Sequence, residues 1–218
     1  MLQKDTVKFL KDLRKNNTRE WFAIHKDRYD AAREDYNAFI GKLIVQTSKA
    51  EPRLAELEPK NCVFRIYRDV RFSKNKDPYK CNFGASLKVG GKKSGNCGLY
   101  FHVEPGRSFL AAGFWMPEAP ELKLLRQEVE YNTEEFKGIL KNKNFKKWFG
   151  ELEDTKLKNA PKGVDPTHPD IELMKYTSYI VSHPIEDKEL TSPSLLKACA
   201  DGHKILIPFI EFLNKAVH

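Results

Sequence analysis

The segment GLYFHVE, residues 98 to 104, sets Tyr100, His102 and Glu104 at alternate positions. Alternate side chains of an extended strand share a face, so a phenol, an imidazole and a carboxylate stand in a row there. A histidine oriented by a carboxylate serves as a general acid or base, and cations beside it stabilise developing negative charge. CVFRIYRDVRFS, residues 62 to 73, repeats the alternation with Arg65, Tyr67, Asp69 and Arg71. Side chains on alternate residues of a strand stand about 7 Å apart, which suits a flat anion contacted from both sides, and arginine offers phosphate or carboxylate two parallel hydrogen bonds. If both strands turn these residues to one face, Asp69, His102 and Glu104 form a candidate catalytic group. Arg65, Tyr67, Arg71 and Tyr100 are then its ligand-binding partners, joined by Lys74 and Lys80 if the loop FSKNKDPYKCN folds over the sheet. The competing account is a ladder of cross-strand ion pairs through Asp69 and Glu104. Arg68 interrupts the apolar set Cys62, Phe64, Ile66, Val70 and Phe72. Either it has a buried acidic partner, or a bulge near Asp69 turns it outward to the ligand set.

The charge of the chain is localised. Between Lys60 and Arg107 stand eleven lysines and arginines against three acids, and this block carries the whole excess of +8. Clustered cations concentrate phosphates and carboxylates, so a small anionic ligand is the expected partner, with a nucleic acid as the alternative. Basic residues interleaved with aromatics support the alternative, because bases stack on exposed rings while cations hold the backbone. A surface charged only for solubility, in a structural or interaction protein, is the third reading.

A chain of 218 residues with 40% hydrophobic and 11% aromatic residues buries its own core, which excludes disordered and collagenous classes. The four cysteines form no C-x-x-C pair and none has a histidine at zinc spacing, so a reducing, cytoplasmic setting is expected. MLQKDTVKFLKDLRKNN scatters charges among its apolar residues and reads as neither a signal peptide nor a membrane span. No phosphate loop, dinucleotide turn, zinc-protease helix or nucleophile elbow occurs, so no cofactor is expected. His168 with Asp170, and His183 with Glu186 and Asp187, stand beside prolines, read as turn formers, and predict no metal.

These groups need elements to hold them. Residues 1–59 read as helical, with a break at Asn16-Asn17 and Thr18 as the N-cap of a second helix. Residues 60–116 read as an antiparallel meander of four strands, at 62 to 73, 82 to 89, 98 to 104 and 108 to 115. Residues 117–218 read as mainly helical, with Thr133 as an N-cap, an irregular loop near 157–170 and a terminal helix kinked or started near Pro208. The expected class is α+β, one domain over 1–218, with helices on one face of the sheet.

The strings FRIYRDVRFSKNKDPYK and GLYFHVEPGRSFLAAGFWMP resemble a bacterial and fungal family of conserved hypothetical proteins, domain of unknown function 2461. The opening residues Leu10, Leu13, Asn16, Asn17, Trp21 and Phe22, and PKG at 161 to 163, extend the resemblance over most of the chain. It implies one full-length domain and brings no catalytic residue. Asn75 stands where the family's pattern leads one to expect an acid.

Overall fold

The computed structural model describes residues 1–218. Helices α1 (Lys4–Lys15), α2 (Arg19–Ile24) and α3 (Lys26–Thr47) open the chain. The break at Asn16-Asn17 is where the sequence sets it, and the Thr18 hydroxyl caps α2 by accepting from Trp21 N at 3.2 Å. A 3₁₀ turn (Pro52–Glu56) and the short α4 (Pro59–Cys62) lead to strands β1 (Phe83–Leu87), β2 (Leu99–Val103) and β3 (Ser108–Phe114). Then come α5 (Ala119–Tyr131), α6 (Thr133–Lys141), α7 (Lys143–Phe149), α8 (Ile171–Met174), β4 (Tyr179–Ile185), α9 (Asp187–Leu190) and α10 (Leu195–Lys215). The four strands form one antiparallel sheet in the order β1-β2-β3-β4. The class is α+β and the arrangement a single domain.

Side-chain alternation gives the sheet two unlike faces. Phe83, Ala85, Leu87, Leu99, Phe101, Val103, Leu110, Ala112, Tyr179 and Val181 are buried on one of them. Helices α3 and α10 pack there, and the buried Tyr36 hydroxyl of α3 donates to Phe101 O at 3.0 Å. Gly84, Ser86, Tyr100, His102, Phe109 and Ile180 occupy the opposite, uncovered face.

Two strand assignments change. Residues 62 to 73 are not a strand: Cys62 ends α4, Val63 bridges to Ala85 and Tyr67 to Tyr79, and the remainder is irregular. Pro78 supplies a carbonyl to Arg68 N at 3.0 Å but has no N–H to return, and Asp69 and Asn75 close local turns on Arg71 N and Asp77 N. The loop is pinned at its base by Asn17, whose amide exchanges hydrogen bonds with the Tyr79 backbone in both directions. The fourth strand is instead β4, where Tyr179 and Val181 point inward; His183 and Pro184 had favoured a turn there. Residues 153 to 157 lie along its outer side, Glu153 N donating to Ile180 O at 3.0 Å and Thr177 N to Thr155 O at 2.9 Å.

The terminal helix is continuous from Leu195 and holds Pro208 in its interior. Thr133 is the first residue of α6 rather than its cap, its hydroxyl donating back to Val129 O at 2.7 Å. No helix is long and apolar enough to cross a membrane. All four cysteines are free thiols.

Candidate functional site

Tyr100, His102 and Glu104 follow one another along the uncovered side of β2 and its exit. The Glu104 carboxylate stands 3.2 Å from His102 Nε2 and accepts from Arg14 of α1 at 2.9 Å. Because a carboxylate only accepts, Nε2 carries the imidazole proton, and Nδ1 is the acceptor for the Tyr100 hydroxyl at 3.1 Å. Asn82 Nδ2 stands 3.5 Å from the same nitrogen. A continuous line, Arg14 to Glu104 to His102 to Tyr100, results.

Packing holds this line rigid. The imidazole stacks on Phe109 with centroids 4.6 Å apart and planes 12° apart, and Phe64 meets Tyr100 edge-on at 6.2 Å. Gly84 makes room for the phenol: a Cβ at that position would lie 2.5 Å from the Tyr100 oxygen. Burial lowers the His102 pKa from 6.5, with the Glu104 hydrogen bond opposing, so the imidazole is neutral at pH 7. Burial pushes the Tyr100 phenol up to about 12.

Phe64, Tyr100, His102 and Phe109 line an open cleft of about 710 Å³ on the uncovered face. Phe64, Phe109 and Trp115 give it aromatic walls. At its far end stand Lys88, Glu118, Glu121 and Glu153. Their polar groups already have partners: Lys88 Nζ donates to Ser94 O, Glu118 and Glu121 make the capping box of α5, and Glu153 accepts from Ser182.

Two cations stand behind the Phe64 wall without themselves lining the cleft. Lys80 Nζ lies 5.8 Å from the Phe64 ring centroid, half-buried and without a carboxylate partner. Burial and then the neighbouring Arg65 charge depress its pKa. Arg65 is exposed and is itself unpaired, since the loop's one ion pair is Arg71 with Asp69 at 2.7 Å.

The structure therefore brings together Tyr100, His102 and Glu104, with Lys80 and Arg65 beside Phe64. It leaves the rest of the expected site elsewhere. Asp69 and Arg71 are spent on each other, and Arg71 holds the Asp69 carboxyl below its usual range. Arg68 has turned outward without an acidic partner, donating to Asp77 O and Ser73 Oγ. Lys74 is exposed, and Tyr67 is 49% exposed against the buried Tyr79. The shared face expected for Arg65, Tyr67, Asp69 and Arg71 does not exist, because the strand that would align them gives way to turns. Phe72, expected inside, is 94% exposed.

Arg14, Asn82, Phe109 and Gly84 were not legible as members of the site. Arg14 reaches Glu104 across 90 residues of sequence, which no local spacing reports. Gly84 did leave a signal, a glycine inside a strand pattern, which marks close approach. No group of three or more His, Cys, Asp or Glu side chains is placed to hold a metal ion.

Residues 5–212 match the family described as conserved hypothetical protein (DUF2461). The chain belongs to that family. No curated protein and no solved structure matches it.

Proposed function

We propose that this DUF2461 chain binds a small organic anion in the cleft, with the anionic group at Lys80 and Arg65 and the flat remainder against Phe64, Tyr100 and Phe109. The observation that carries this reading is the half-buried Lys80, unpaired and next to a second unpaired cation. A cation kept partly out of water without a counter-charge costs free energy that an incoming phosphate or carboxylate recovers. His102, oriented by Glu104, is then within the same cleft as a neutral proton acceptor.

A thermal-shift series with inorganic phosphate, phenyl phosphate, benzoate and a nucleoside monophosphate tests the reading. A ligand present at a hundredfold over its Kd adds about 2.7 kcal/mol, roughly 5–10 °C for a chain of this size. Phenyl phosphate should raise the melting temperature of the native sequence, and Lys80→Met with Arg65→Ala should abolish the rise. An equal rise in that variant, or no rise with any of the four anions, overturns the proposal.

A second reading rests on Phe72 and Tyr67, exposed rings on a loop that also carries Lys74 and Lys76. That combination suits a single-stranded nucleic acid, which would bind on the loop rather than in the cleft.

A further inference from the structure

We propose that Tyr100 is a nucleophile, activated by His102 as its general base and by Glu104 as the positioning carboxylate, and that it takes up a phosphoryl group from a small phosphoester. The nucleophile rests on the hydrogen-bonded line alone; the phosphoester class rests on the anionic-ligand reading above.

A hydroxyl, a neutral imidazole accepting from it, and a carboxylate holding the far imidazole nitrogen constitute the arrangement by which an ordinary alcohol is made nucleophilic. Here all three come from one strand and its exit, and Tyr100 and His102 line the cleft. The phenol does not need to ionise beforehand. Its proton leaves as the new bond forms, and the imidazolium produced faces Glu104. A purely structural role would not require a strand glycine beneath the phenol oxygen, yet Gly84 leaves the space in which Tyr100 reaches His102.

In the first step Tyr100 Oη bonds to phosphorus and the bond from phosphorus to the leaving oxygen breaks. The phenol proton passes to His102 Nδ1 and from there to the departing alcohol. In the second step water attacks the phosphotyrosine, giving its proton to His102. The bond from phosphorus to Tyr100 Oη breaks, the phenol regains a proton from His102, and inorganic phosphate leaves. No oxidant or reductant is needed. Lys80, 5.8 Å from the centroid of the Phe64 ring, is a cation close to this end of the cleft, with Arg65 beside it.

The groups facing His102 are Tyr100 and Glu104 from its own strand, Asn82 before β1, Lys80 from the loop, and Arg14 of α1 through Glu104. Only neutral His102 accepts the phenol proton, so reactivity is flat at neutral pH and falls in acid below the usual histidine range.

Phenylmethylsulfonyl fluoride tests the nucleophile directly, since a phenol oxygen that attacks its sulfur expels fluoride and keeps the sulfonyl group. Peptide mapping of the full chain after labelling should place the adduct on Tyr100, faster than on the freely exposed Tyr131 by on the order of 10²-fold, the scale of general-base assistance. Labelling of Tyr100 should be level from pH 7 upward and fall in acid as His102 takes up a proton. His102→Leu should remove the preference, and Glu104→Gln should weaken it while leaving the fold melting as a native protein. Labelling of Tyr100 no faster than Tyr131, or unaffected by His102→Leu, overturns the nucleophile.

A second arm uses p-nitrophenyl phosphate and looks for nitrophenolate release and a phosphoryl adduct on Tyr100. Sulfonyl labelling without either overturns the phosphoester class and leaves the nucleophile standing. Sulfonyl labelling that persists in Lys80→Met with Arg65→Ala, together with a failed thermal shift, would overturn the anionic-ligand reading alone.

Discussion

His203 of α10 is 2% exposed, and neither of its ring nitrogens has a hydrogen-bond partner. Burial pushes its pKa from 6.5 down to about 4, with the Glu51 charge opposing. Between those pH values the unfolded chain binds a proton that the native one does not, so stability falls as pH falls through that window. The full loss is about 3 kcal/mol. His203→Leu removes two unsatisfied nitrogens at similar volume, and should raise stability by roughly 1–3 kcal/mol at pH 7 and flatten the acid limb of a urea-denaturation series between pH 7 and 4. An unchanged acid limb in that variant would assign the loss to other groups. Gly84→Ala is the matching test in the cleft: the phenol must swing away from His102, so the protein should fold, while sulfonyl labelling of Tyr100 drops to the level of Tyr131.

At the scale of elements, three of the four strands were readable because alternation and turn residues agree across them: 82 to 89, 98 to 104 and 108 to 115 became β1, β2 and β3 within a few residues. The segment at 62 to 73 alternates equally well in side-chain character but has Asp69 within it and Asp77-Pro78 beyond, and local hydrogen bonds to those residues win over a ladder. The strand β4 was hidden for the opposite reason, since its edge position tolerates a proline that a central strand would not. The row Tyr100, His102 and Glu104 was legible because one strand holds it, whereas Arg14 depends on how α1 lies against the sheet. Gly113 of β3 shows how tightly β3 and β4 are joined. Its φ is +122°, and a Cβ there would lie 1.9 Å from Tyr179 O. Gly113→Ala should cost at least about 3 kcal/mol by urea denaturation, because the backbone strain and the clash both fall on strand pairing.

Over the whole molecule, one core of 43 buried residues runs from Leu2 to Leu213, so both termini belong to the same cooperative unit. Far-UV and near-UV circular dichroism should give superimposable melting curves, as expected of one domain. The localised charge makes a second prediction at this scale. Phenyl phosphate held by Lys80 and Arg65 should lose only a few-fold in affinity between 50 and 200 mM salt, whereas a single strand touching four cations should lose roughly 50-fold. The steeper response would shift weight from the cleft to the loop that carries Phe72.

The Asn17 clasp on Tyr79 has a consequence beyond the site. By holding the loop down, it keeps Val63 and Phe64 against the outer side of β1, as residues 153 to 157 do along β4. Both open margins of the sheet are thus hemmed by irregular chain that no neighbouring molecule can extend. Releasing Asn17 should therefore show itself first as self-association on standing at high concentration, before any loss of helix content.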